Sequence, residues 1–187
     1  MNLLEKAQSG NMAAFEEILI KYEKLIYNLA RRTMGNNEDA EDITQEVALK
    51  IYRNLKSCRG EELLKAWIAR ITHNTCMDML RRNKGKHTDS LEVMEEIGAE
   101  LVEQSEGPED LLVRKELGQH LEVTLAKLPP QYRALIALRD IHGYSYEEVA
   151  EILQLPVGTV KSRLFRGRAK LKTILSEQNG GGLRQNY

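Results

Sequence analysis

Six cations stand between Gly158 and Thr173, at Lys161, Arg163, Arg166, Arg168, Lys170 and Lys172, with no acid among them. Guanidinium and ammonium groups at that density bind the phosphates and base edges of nucleic acid. Val160, Leu164 and Leu171 run through the same stretch at helical spacing, so bases and packing residues share one helix. Just upstream, Ser145 and Glu148 make an S-x-x-E capping box, which predicts a helix starting at Ser145. Val149, Ile152 and Leu153 gather the apolar residues of that helix on one face. Pro156 cannot continue it but suits the first turn of the next. A short helix, a tight turn and a cationic second helix form a helix-turn-helix, whose second helix lies in the DNA major groove. The competing reading is a solvated basic face. The capping box, the proline and the one-sided charge agree on the first.

Other chemistry is scarce. Cys58 and Cys76, the only cysteines, lack zinc-finger or ribbon spacing and read as reduced thiols, with Cys76 in a core. His73, His87, His120 and His142 show no metal-ligand spacing. There is no Gly-rich phosphate loop and no nucleophile–base signature, so no catalytic residue, metal or cofactor is expected. Glu95–Glu96 and Glu147–Glu148 are explained by solvation and helix capping. The expected protein is not an enzyme.

The net charge of −1 is uninformative, but its distribution is not. Lys65 to Lys86 holds Lys65, Arg70, Arg81, Arg82, Lys84 and Lys86 against the single acid Asp78. Asp89 to Asp110 holds nine acids and no Lys or Arg. Two basic blocks separated by an acidic segment fit a protein that touches nucleic acid twice. No apolar run approaches a bilayer span, and MNLLEKAQSG lacks a signal-peptide pattern. The expectation is a cytoplasmic protein without membrane insertion.

The elements that must position these residues are helical almost throughout. Phe15, Ile18, Leu19, Tyr22, Ile26 and Leu29 form one amphipathic face, and Gly35 ends that helix. Asn37 is the expected N-cap of the next, whose apolar stripe is Ala40, Ile43, Val47, Ile51 and Leu55. A loop around Ser57–Glu61 precedes a third long helix, 63–83, carrying Leu64, Trp67, Ile68, Ile71 and Met79. Residues 1–86 therefore read as one helical domain, and 87–108 as a flexible acidic linker. From Glu109 a second block begins, with Leu111, Leu112, Leu117, Leu121 and Leu125 on a helix that Pro129 ends. Gln131 to His142 reads as another helix closed by Gly143, ahead of the helix-turn-helix. Residues 109–176 form the second domain, and 177–187 read as a disordered tail. The fold class is all-α: two small helical domains joined by a flexible acidic linker.

Four segments together resemble one family: DAEDITQEVALKIYRNL at 39–55, AWIARITHNTCMDMLRR at 66–82, LPPQYRALIALRDIHGYSYEEVAEIL at 128–153 and LPVGTVKSRLFRGRAKL at 155–171. Their order and spacing are similar to the extracytoplasmic-function (group 4) sigma factors of the sigma-70 family, over about residues 8–175. The resemblance implies a subunit that binds core RNA polymerase and directs it to promoters. It also implies an anti-sigma factor as partner, though no residue specifies one.

By that resemblance Asp42, Gln45, Glu46 and Tyr52 dock on the polymerase, where acids suit an Arg-rich partner helix. The alternative is a solvated acidic face. Thr44 departs from the family, which usually has an aliphatic residue there. The loop Ser57–Leu63 and Asn74 match the positions that hold an extruded −10 base, and Arg70, Arg81, Arg82 and Lys84 match phosphate contacts. Asn74 as a plain solvated residue is the other reading. Trp67 has two readings, a base-stacking platform or core in register with Leu64, Ile68 and Ile71. In the −35 helix, Lys161, Ser162, Phe165 and Arg166 are expected to face bases, and Arg163, Arg168 and Lys170 phosphates. Phe165 as a core aromatic is the alternative. The acidic linker reads either as a plain tether or as a shield for the basic blocks. A helix-turn-helix regulator that is no polymerase subunit explains residues 129–172 but not the first domain.

Overall fold

The computed structural model describes residues 2–84 and 121–180, with side chains to 83 and 177. The acidic segment 87–108, the leucines at 111, 112 and 117, and residues 181–187 lie outside the described residues. Among the described residues every regular element is helical.

Helix α1 (Leu3–Gln8) opens on a capping box between Asn2 and Glu5. Helix α2 (Met12–Met34) starts at the N-cap Asn11 and stops at Gly35, whose φ of 90° is left-handed. Helix α3 (Asn37–Asn54) is capped by Asn36, not by Asn37 as the sequence predicts. Asn36 is the extended residue, and its side chain accepts from the Asp39 amide. A 3-10 turn (Leu55–Ser57) leads to α4 (Glu61–Lys84). Thr44 turns its hydroxyl back onto the Ala40 carbonyl at 2.7 Å, which satisfies the hydroxyl within its own helix. The apolar faces read from the sequence meet in one core, where Ile18, Ile26, Ile43, Ile51, Leu64 and Ile68 are buried. Trp67 joins them at 8% exposure, which decides for its core reading.

The second unit comprises a helical segment at 121–126, α5 (Pro130–Ile136), a π-helical turn (Ala137–Ile141), α6 (Tyr146–Leu153) and α7 (Val157–Gly180). The single helix expected over Gln131–His142 thus widens after Ile136. The His142 amide reaches the Ala137 carbonyl at 2.9 Å, and Gly143 closes the segment at φ 74°. All six residues from Arg133 to Leu138 are buried. A helix apolar all round must be enclosed on every side. Here α5 lies between α2 on one side and α7 on the other.

That enclosure joins the two units. Leu29 of α2 and Ala69 of α4 belong to the core formed by Leu125, Leu135, Leu138, Ile152, Val160 and Leu164. Helix α6 packs on α4. Arg32 Nε donates to Glu122 Oε1 at 3.0 Å, largely out of water. The Lys65 ammonium stands 4.7 Å from the Tyr144 ring centroid. Arg133, 7% exposed, packs its guanidinium against Gly35, where any side chain would collide with it. Burial pulls Arg133 down to about 10. Helix α7 continues to Gly180, past residue 176 where the second domain was expected to give way to a disordered tail, with Leu171 and Ile174 half-buried on the second core.

Candidate nucleic-acid interface

The helix-turn-helix is built as its sequence dictates. Ser145 Oγ accepts from the Glu148 amide and Glu148 returns a bond to the Ser145 amide at 2.7 Å. Those bonds hold the Glu148 carboxyl below its ordinary range. Gln154 ends α6 in the left-handed region at φ 53°, and its amide and that of Leu155 bond back into the helix. Pro156 then offers its carbonyl to Thr159 and Val160. Val160, Leu164 and the buried Gly167 face inward, Gly167 lying against Tyr132.

The outward face of α7 carries the predicted residues. Lys161, Ser162, Arg166, Arg168 and Lys170 are exposed, and Arg163 is half-buried. Phe165 is 77% exposed, so it is no core aromatic. An apolar ring held out in a row of cations suits a thymine methyl or a sugar. Tyr146, which the sequence reading passed over, organises this face. Its ring lies 4.5 Å from the Arg139 guanidinium and 5.4 Å from Lys161 Nζ. Arg168 forms a bidentate pair with Asp140, Nε to Oδ2 at 3.0 Å, which raises the guanidinium's already high pKa. The pair fixes its direction on the surface.

On α3, Asp42, Gln45 and Tyr52 are exposed, with Leu49 between them at 57% exposure. Positions 42, 45, 49 and 52 follow helical spacing and make one stripe. Leu49 was missing from the residues read from sequence, although that spacing contains it. Tyr52 is braced edge-on by Phe15, centroids 5.1 Å apart. Glu46 is half-buried: Lys50 of its own helix reaches it at 2.8 Å, and Arg82 bridges to it from α4 at 3.3 Å. The Lys50 hydrogen bond is the main cause that lowers its pKa. One residue expected on the polymerase face and one expected on the −10 face are thus ion-paired.

Between the loop after α3 and the start of α4 lies a cleft of about 430 Å³. Cys58, Arg59, Leu63, Trp67 and Arg70 line it, together with Glu151 and Ile152 of α6. Arg70 is half-buried there, while Asn74 stands exposed one turn further along α4 and outside the cleft. Arg81 and Arg82 continue the exposed basic run; Arg81 pairs with Asp78 at 3.0 Å. Lys84 closes α4, and its side chain lies outside the described residues. Cys58 and Cys76 are free and buried, and burial lifts Cys76 to about 12. Among the described residues no His, Cys, Asp and Glu group could hold a metal, and no helix is long and apolar enough to cross a membrane.

Known proteins divide along the same lines. The Sigma-70 region 2 profile matches residues 19–86, and the Sigma-70 region 4 profile matches 119–171. The RNA polymerase sigma-H factor of Pseudomonas aeruginosa is 33% identical over 177 residues, 92% of each chain. The ECF RNA polymerase sigma-E factor of Escherichia coli K12 is 38% identical over 171 residues, 89% of this chain and 88% of that one. Among solved structures, the sigma factor RpoE of Bartonella quintana, in complex with the anti-sigma factor NepR, superposes with a TM-score of 0.67 at 28% identity. It covers 87% of this chain and 96% of that one. CnrH in complex with the cytosolic domain of CnrY gives 0.65 at 26%, over 94% and 96%. With a region 2 unit whose α3 presents a polar and apolar stripe, and a region 4 unit whose α7 presents cations, the chain belongs to the extracytoplasmic-function group of the sigma-70 family of RNA polymerase sigma factors.

Proposed function

We propose that this sigma factor divides initiation between its two units. Residues 1–86 dock on core polymerase and engage the −10 element; residues 109–176 read the −35 duplex. In the first unit the α3 stripe of Asp42, Gln45 and Tyr52, with Glu46 at its edge, meets the polymerase. Residues 57–63, the loop and the first turn of α4, take the −10 bases together with Asn74, and Arg70, Arg81, Arg82 and Lys84 hold the phosphates. In α7, Lys161, Ser162, Phe165 and Arg166 face bases, while Arg163 and Arg168 position the backbone. The observation that carries this reading is the exposed run of cations at 161–172 of α7, with no acid between Gly158 and Thr173 in sequence, behind a complete capping box on α6, on a chain whose first unit matches region 2. A regulator that is no polymerase subunit does not account for that first unit.

The chain itself catalyses no reaction in this reading and works in the cytoplasm, where the polymerase is. One similar structure holds the anti-sigma factor NepR, and another holds the cytosolic domain of a partner, CnrY. We infer that an anti-sigma factor holds this chain as well.

Reconstituted transcription tests the proposal. Added to sigma-free core polymerase, the protein is expected to produce defined start sites on a promoter library. The Asp42→Lys, Gln45→Ala double variant is expected to lose core polymerase in a pull-down while still binding −35 duplex. No start-site choice by the wild-type protein refutes the division of labour, and a pull-down that survives the double variant refutes the docking stripe.

A further inference from the structure

The loop that lines the cleft is held by a residue far away in sequence. Gln8, the last residue of α1, donates from Nε2 to the Leu55 carbonyl at 2.9 Å and to the Cys58 carbonyl at 2.8 Å. A side-chain amide nitrogen has two protons, and here each carbonyl takes one. The two carbonyls bracket the 3-10 turn Leu55–Ser57, through which α3 passes into the loop. The Cys58 amide already closes that turn on Leu55 at 3.1 Å. Leu55 and Cys58 are themselves buried, at 4% each. The next residue, Arg59, lines the cleft. The loop therefore leaves α3 from a point fixed by two buried side chains and one amide clamp. Helix α1 is itself seated by Leu4 and Ala7 in the first core and opened by its own capping box. It precedes residue 19, where the region 2 match begins.

We propose that Gln8 is a positioning residue for base choice at the −10 element: its amide clamp on Leu55 and Cys58 sets the path of residues 57–63, the loop at 58–60 and the first turn of α4. This deepens the reading above and rests on that loop contacting the −10 bases. Gln8 touches no DNA. It acts by holding two carbonyls that a Glu would repel and a Met could not bind, both at nearly unchanged side-chain length.

The test uses the full chain with core polymerase on a promoter library randomised at the −10 element. Gln8→Glu and Gln8→Met, which lose both bonds of the clamp, are expected to lower the ratio of open-complex formation between preferred and disfavoured bases by about fivefold or more. Affinity for core polymerase and −35 preference should stay at wild-type values, which general unfolding would not allow. Gln8→Lys, which keeps donors, is expected to retain most of the ratio. Amide hydrogen exchange is the second readout: Gln8→Met should speed exchange at 58–61 and leave 40–51 unchanged. Wild-type base ratios or unchanged loop exchange in both donor-less variants overturns the proposal, as does a loss shared equally by core affinity and −35 preference. Arg59→Ala separates the two failures. If it shifts base choice and the Gln8 variants do not, Gln8 alone falls. If it too leaves base choice untouched, the loop reading falls and the clamp proposal with it.

Discussion

Arg166 and Lys170 show how far one side chain's role depends on where its helix sits. Both are exposed cations of α7. In the proposed reading Arg166, in the half nearer the turn, brings a fork suited to guanine O6 and N7, and Lys170, a turn further on, is expected at the backbone. Arg166→Ala is expected to relax −35 preference, with about 1–3 kcal/mol of discrimination lost at one position. Lys170→Ala is expected to weaken all sequences alike and to flatten the log–log salt dependence by roughly 0.9. Fluorescence anisotropy on matched and mismatched duplexes across a salt series separates the two, and equal loss on every sequence for both variants refutes the split. Arg168 differs from its neighbours because Asp140 holds it. That pairing was invisible from spacing, since 28 residues separate the partners and only the packing of α7 beside the π turn brings them together.

At the scale of elements, local rules carried well where local physics sets the outcome. The Ser145–Glu148 box, the Gly35 stop and the apolar stripes of α2, α3 and α4 stand as the sequence predicts. Ser145→Ala removes an N-cap and is expected to cost about 1 kcal/mol in chemical denaturation. The same variant should weaken −35 binding, because α6 fixes the angle at which α7 is presented. Unchanged stability would mean that packing of Val149 and Ile152 alone holds α6. Local rules carried less well elsewhere. The helix predicted over Gln131–His142 is present, but it widens into a π turn at Ala137–Ile141, a change of hydrogen-bond register that periodicity does not report. Leu49 escaped notice because an exposed leucine carries meaning only beside the exposed Asp42, Gln45 and Tyr52.

At the scale of the whole molecule, the two units share a core through Leu29 and Ala69 and an ion pair through Arg32 and Glu122. Charge reversal at either end of that pair is expected to destabilise the chain by about 1.5–3 kcal/mol. The double swap Arg32→Glu with Glu122→Arg should recover most of it; additive losses in that double-mutant cycle would show the pair to be inert. A pH dependence follows from two histidines. Burial, with Arg81 nearby, pulls His73 down to about 4. Burial, with Arg32 and Lys65 nearby, does the same to His142, whose cationic neighbours belong to the first unit. Both are neutral in the fold and ordinary once unfolded, so the unfolded chain takes up protons first as pH falls. Stability is therefore full above about pH 6.5 and declines between 6.5 and 4. Glu46 and Glu148, held below their ordinary range, add their losses only beneath about 4.5. Urea denaturation from pH 7.5 to 4.5 checks this, and His142→Gln should flatten the curve. A curve flat down to pH 5 in the wild-type protein contradicts the assignment.

Residue order alone decided what is periodic or contiguous: helical class, caps, the cationic run of α7 and the two-block charge pattern. Those depend on neighbours within about one turn, and one turn is legible in a string of letters. Folding in three dimensions decided what joins distant positions: the Gln8 clamp on the loop at 55–58, the Glu46–Arg82 pair, and the seating of α5 between α2 and α7. Such contacts arise from the closure of a shared core, and no spacing rule encodes which two surfaces will close on each other.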